Sequence, residues 1–262
     1  MEASSTPRQV EANPKPQLDV ADYPDELHEA LGHAHGSDDV VFAAMSPEPE
    51  SHVLTAAPAA TGDFLPKGDH FGLHIEHRPL ENAGPFAGGG NKWVWHITVS
   101  SWNTVDAMFD VLKAKRAAPH LIIGGRAGVA RPVVIQCIPF SLAGRALEHP
   151  SGPETNRANA IQVEICATVA DVAEFTEEKY KAFANLVRLT NRTVPPSRRV
   201  PRVLARPFRN TARFGGQAFF DAEGHCGHMH VPLNSHSDPT TGFKGSHILT
   251  LLENMPDGGH RL

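Results

Sequence analysis

The chain has 262 residues, with 24 Lys and Arg against 29 Asp and Glu, 16 His, and 40% hydrophobic side chains. That is enough apolar material for a real core, in one large domain or two small ones at roughly 100–200 residues each. No apolar run approaches the roughly 20 residues that cross a bilayer, so membrane insertion is not expected. Residues 1–25 lack the charged start and apolar stretch of a secretory signal, and three scattered cysteines (Cys137, Cys166, Cys226) exclude a disulfide scaffold.

From the N-terminus, residues 1–60 hold eleven acids and two bases, a net −9, whereas 61–262 carry 18 acids and 22 bases, a net +4. Seven prolines dot that leader and apolar periodicity is weak. It cannot bury enough surface to offset its ordering entropy and is expected to be mostly disordered, apart from one short helix around 25–31. The boundary is placed near Thr61, and no repeat is visible on either side.

The body alternates strand and helix signals. Residues 92–99 (KWVWHITV) are apolar on both faces and suit a buried strand. Asn103 is placed to cap a helix from Thr104, with Val105, Met108, Phe109 and Leu112 on one stripe and Pro119 beyond its end. Residues 120–124 and 133–138 read as strands around a Gly-rich turn at 124–128, and 160–167 as a third. Thr176 opens a second helix, with Glu177 and Glu178 in its positive first turn. Tyr180, Phe183, Ala184 and Val187 form its apolar stripe, and Pro195 and Pro196 close it. Further strands are expected within 217–231 and a last helix over 246–254. The pattern implies an α/β fold, a mixed sheet with helices packed on it.

Four histidines crowd the segment HCGHMHVPLNSHSDP: His225, His228, His230 and His236, with Asp238 just beyond. Imidazole and carboxylate are zinc ligands, and a catalytic site takes three of them plus an open position. If 228–231 is a strand, His228 and His230 share a face, and spacing does not choose between them. A turn at 232–234 would bring Asp238 back to the same point. His96, inside an apolar strand where an unpaired imidazole is costly, is the natural third donor. Two blander readings stand beside this one: a core histidine bonded to backbone at 96, and a water-facing polar loop at 225–236. A structural site using Cys226 lacks the close-spaced Cys/His pairs such sites use at both ends.

Trp-His-Ile-Thr at 95–98, Thr-Asn-Arg at 155–157, Ile-Gln-Val-Glu at 161–164 and Gly-His-Met-His-Val-Pro-Leu-Asn-Ser-His-Ser-Asp-Pro at 227–239 occur in that order. Together they resemble the zinc-dependent N-acetylmuramoyl-L-alanine amidases of the peptidoglycan recognition protein superfamily, and phage endolysins in particular, over roughly 64–243. The resemblance implies a central mixed β-sheet flanked by helices in a catalytic domain over 61–262. It implies one Zn2+ per chain, bacterial peptidoglycan as partner, and cleavage of the amide between N-acetylmuramic acid and L-alanine. By the same resemblance His96, His228 and Asp238 are the ligands and Glu164 the catalytic carboxylate facing the metal site. His236 supports the developing oxyanion, and Asn156 and Arg157 line the substrate groove. A protonated His236 would serve that role best. Relatives commonly read Asp-Pro-Gly where this chain has Asp238-Pro239-Thr240, so the loop after the last ligand is expected to differ. With no signal, synthesis in the cytoplasm and action on the cell wall are expected. The alternative is a peptidoglycan-binding module with little hydrolysis.

Outside these motifs, Arg198, Arg199, Arg202, Arg206, Arg209 and Arg213 crowd a stretch with no acid between Glu178 and Asp221. Arg forks suit carboxylates and phosphates, although plain solvated surface is the default for a charge run. No aromatic interleaving accompanies it, and nucleic acid is not expected as a partner. Glycines 88–90 precede a strand instead of following one, so they form no phosphate loop. The cysteines are expected to be small core residues.

Overall fold

The computed structural model describes residues 63–147 and 155–255. The leader at 1–60 and the short helix expected at 25–31 lie outside them. Seven strands form one mixed sheet: β1 (Gly68–His70), β2 (Leu73–His77), β3 (Lys92–Ile97), β4 (Leu121–Arg126), β5 (Val129–Gln136), β6 (Ala160–Ile165) and β7 (Gly224–Gly227). Their order is β1-β2-β5-β4-β6-β3-β7. β1/β2 and β4/β5 pair antiparallel, and β2/β5, β4/β6, β6/β3 and β3/β7 pair parallel. The helices are α1 (Val105–Ala114), α2 (Val169–Ala173), α3 (Glu177–Thr193), α4 (Gly216–Asp221) and α5 (Gly245–Asn254). None of the described helices is long and apolar enough to cross a membrane.

Strand alternation sorts the sheet into two unlike faces. One carries Trp93, Trp95, Ile97, Leu121, Ile123, Ile161, Val163 and Ile165 against Tyr180, Phe183, Leu186 and Val187 of α3 and Ile248 and Leu252 of α5. The other holds two smaller apolar clusters. α1 packs Val105, Met108, Phe109 and Leu112 on Ile122, Val133 and Ile135. Beyond it, Val94, Ala160, Cys226 and Val231 gather around Phe219. The polar residues of interest lie between them.

Several local expectations change. The Asn103 side chain does not cap α1: Thr104 is the boundary residue, and its hydroxyl donates to Ser101 O at 2.6 Å instead of accepting from the helix. Thr176 does cap α3, accepting from Lys179 N at 3.4 Å. β3 stops at Ile97, and Val99 takes φ 55°. Gly124 and Gly125 belong to β4, leaving a tighter turn than expected before β5. Residues 217–231 are not continuous strand: a helix, the four-residue β7 and a 3-10 turn at His228–His230 share that segment. The helix there is α4, which inserts Phe219 into the third cluster. All three cysteines are buried and free.

Candidate metal centre

His96 and Glu164 are direct partners in the parallel β3/β6 ladder, so both side chains leave the same face of the sheet. β7 pairs with the other edge of β3 and ends at Gly227, delivering His228 beside His96. The chain then turns through 228–230 and returns at Asp238. Met229 N donates to Asp238 O at 2.8 Å, and Ile97 N donates to Asp238 Oδ2 at 3.2 Å. A Cβ on Gly227 would lie 2.6 Å from Pro239 Cδ, so the close return of Asp238-Pro239 needs glycine there.

His96, His228 and Asp238 thereby offer three ligand atoms within 4.8 Å of one another. The His96 and His228 Nδ1 atoms are 3.1 Å apart, and His228 Nδ1 is 3.3 Å from Asp238 Oδ1. Glu164 Oε1 lies 3.7 Å from His96 Nδ1. The His236 ring stacks on that of His228 at 4.0 Å, with Nδ1 3.5 Å from Asp238 Oδ1. The set fits zinc in donor type and number, and its Nδ1 separation is close to the edge of a tetrahedron with arms of about 2.0–2.1 Å, about 3.3 Å.

Electrostatics agree with that chemistry. Burial, then the neighbouring His228, holds His96 down at about 3, so its imidazole is neutral as a ligand must be. Burial opposes ionisation of Asp238, but the charge and hydrogen bond of His228, with His236 and His96, outweigh it and hold the carboxyl far below its usual range. Glu164 goes the other way: burial, then the Asp238 charge, pushes it up to about 8. Two neighbouring carboxyls are thus driven apart.

The structure also separates His228 from His230. Both ring nitrogens of His230 are engaged elsewhere, Nδ1 accepting from Gly227 N at 3.1 Å and Nε2 donating to Asn210 O at 2.7 Å. The 3-10 turn turns the two rings apart, where a strand would have aligned them. Asn156 accepts from Ala146 N and Leu147 N and so shapes the 146–147 loop, while Arg157 Nε donates to Pro85 O at 2.8 Å.

Three supporting residues are not singled out by the sequence. Gln162, two residues before Glu164 and on the same face, accepts from His96 Nε2 at 2.8 Å. A proton held on Nε2 leaves the Nδ1 lone pair directed at the other ligands. Gln162 is positioned in turn by His120, whose Nδ1 accepts from Gln162 N at 3.0 Å and whose Nε2 donates to Leu142 O at 2.8 Å. Asn234 ties the ligand loop together, donating to His228 O and accepting from His236 N. Gln162 and Asn234 lie inside the quoted motifs, which is the only sequence signal for them, and His120 lies outside all of them.

The arginine stretch is only partly solvated surface. Arg198 stands 3.8 Å over the Phe86 ring and donates to Phe140 O, and Arg206 stands 3.9 Å over Phe214. These planar cations complete the packing of loops that have few apolar residues.

No protein-family model matches the sequence, and no curated protein matches it. Among solved structures the chain is similar to the hydrolase AmiA of Staphylococcus aureus, crystallised in complex with its ligand. The identity is 13% and the TM-score 0.43, over 69% of this chain and 80% of that one.

Proposed function

We propose that residues 61–262 form a zinc-dependent amidase that cuts the bond between N-acetylmuramic acid and L-alanine in bacterial peptidoglycan. The observation that carries the hydrolase reading is the meeting of His96, His228 and Asp238 beside the buried carboxyl of Glu164. The polymer and the bond rest on the resemblance of the motifs at 95–98, 155–157, 161–164 and 227–239. Zinc held by the three ligands would supply Lewis acidity, polarising the scissile carbonyl and making water easier to deprotonate. Glu164, raised toward neutrality, takes the proton of the attacking water and returns it to the leaving amine. His236, partly exposed beside Asp238, donates to the carbonyl oxygen as negative charge builds on it. Gln162 fixes the His96 ring throughout.

Metal analysis and the release of new L-alanine amino termini from purified peptidoglycan test this directly. The wild type is expected to carry one zinc and to cleave. His228→Ala should lose both properties. Glu164→Gln should keep the metal and lose roughly 10²–10⁴-fold in turnover, the usual span for a general acid–base group. Zinc-loaded protein that binds peptidoglycan without cutting it would sink the enzyme reading in favour of a recognition module.

A further inference from the structure

The loop at 206–214 is fastened to the segment that carries the second and third ligands. His230, which takes no place among the ligands, donates from Nε2 to Asn210 O at 2.7 Å and accepts at Nδ1 from Gly227 N at 3.1 Å. Phe214 N donates to His230 O at 2.8 Å. Within the loop, Arg206 stands 3.9 Å over the Phe214 ring and donates to Ala212 O, and Ala212 N donates to Asn210 Oδ1 at 3.0 Å. These bonds bring the exposed Arg213 to the far end of the ligand segment, where its Nη2 donates to His236 O at 3.2 Å. His236 thus faces two ways: its ring stacks on that of His228, and its carbonyl holds the guanidinium. Among the described residues Arg213 pairs with no carboxylate, so one of its N–H donors is engaged by a neutral carbonyl and the others are open to solvent.

We propose that Arg213 is a specificity-determining residue that binds a carboxylate of the substrate beside the scissile amide. The inference rests on the amidase reading and adds to it a preference among substrates. The N-acetylated sugars next to that bond carry no charge, whereas the peptide carries carboxylates, so the guanidinium selects on the peptide side. A guanidinium fork takes both oxygens of a carboxylate at once. An arm already held by one bond has less freedom left to lose when the ligand arrives. An amide in place of the carboxylate keeps its shape but removes its charge and one acceptor oxygen, so the fork loses its match.

The test uses N-acetylmuramoyl-L-alanyl-D-glutamic acid with both carboxyls free and the same molecule with both amidated. The zinc-loaded full chain should hydrolyse the acid with kcat/KM about tenfold or more above the amide, chiefly through KM. The gap should narrow as salt rises. Arg213→Gln should bring the acid down to the level of the amide and leave the amide within about twofold of wild type. Arg213→Lys keeps the charge without the fork and should retain part of the preference. Arg209→Gln, exposed on the same loop, should retain all of it. If Arg213→Gln merely loosens the loop, both substrates and the zinc content fall together, and the assignment is overturned. Equal hydrolysis of acid and amide by wild type also overturns it and leaves the amidase reading in place. Dissociation constants of the two molecules with zinc-loaded Glu164→Gln give a readout without turnover. If wild type hydrolyses neither, the amidase reading fails. A tighter acid whose advantage disappears in Glu164→Gln/Arg213→Gln then upholds the carboxylate site, and equal constants overturn it.

Discussion

On one face of β3, Trp93, Trp95 and Ile97 meet a mass of aromatic rings, Trp95 lying 5.8 Å from Phe183 and 5.5 Å from Phe243. On the other face, one residue out of step, the same strand buries Lys92, Val94 and His96. Each of the two polar groups there has named partners. Lys92 Nζ donates to the carbonyls of Gly90, Ala158 and Phe220, and His96 Nε2 to Gln162. The apolar face is held by area and shape, which tolerate many side chains of similar volume. The polar face is held by individual bonds, each of which leaves a costly orphan when broken. A sheet anchored firmly on one side can therefore keep reactive groups in fixed positions on the other.

The most direct attempt to break that division is to damage the aromatic face alone. Trp95→Ala removes a fully buried ring and should cost about 3–5 kcal/mol, read as a fall in melting temperature of roughly 10 °C or more. Below the melting point, zinc content and turnover per folded molecule should stay near wild type. Early loss of metal in Trp95→Ala would mean that the two faces do not act separately, and Glu164→Gln gives the opposite signature, with turnover lost and melting retained.

A smaller effect sharpens the polar side of the comparison. Gln162→Met preserves volume but removes the acceptor opposite His96 Nε2. The Gln162 amide nitrogen is buried without a hydrogen-bond partner, so its loss leaves nothing else unsatisfied. Zinc affinity, measured by competition with a chelator, should drop about 10–100-fold, as is usual when a ligand histidine loses its outer partner. The metal-free protein should lose about 1–3 kcal/mol, the cost of leaving the buried His96 Nε2 donor without an acceptor. Unchanged affinity would show that Gln162 only fills space.

The strongly patterned parts of this architecture are readable without coordinates. The β3 run follows from its unbroken apolar character, because it is buried on both faces. The Tyr180–Phe183–Val187 stripe of α3 and the last helix follow from period, because burial on one side imposes one. Short pieces escape: β1, β2 and α2 carry too few residues for a period to show, and the Phe219–Phe220 run of α4 suits strand and helix alike. At the metal centre, spacing leaves His228 and His230 equivalent; the motif resemblance picks His228, and the 3-10 turn, with the bonds of His230 to Gly227 and Asn210, supplies the physical reason. Gln162 and His96 are 66 residues apart, so no local pattern could announce their contact.

The loop after Asp238 offers the finest test of how the polar face is held. Thr240 takes a φ of 76°, in the left-handed region that a β-branched side chain seldom enters. The backbone thus keeps a conformation suited to glycine without having one. It is locked by neighbours: Thr240 N donates to Ser237 O at 3.0 Å, and Phe243, whose ring joins the aromatic face, donates from its own N to Thr240 O at 3.2 Å. Thr240 therefore sits between the anchored face and the last ligand, and carries strain of about 1–3 kcal/mol. Thr240→Gly relieves that strain but gives the unfolded chain about 0.5–1 kcal/mol of extra entropy. The net gain should be about 1 kcal/mol, a rise of about 2–4 °C in melting temperature, with zinc affinity unchanged because no bond to Asp238 is touched. A fall in melting temperature would show that the threonine side chain contributes more by its contacts than its backbone loses by strain.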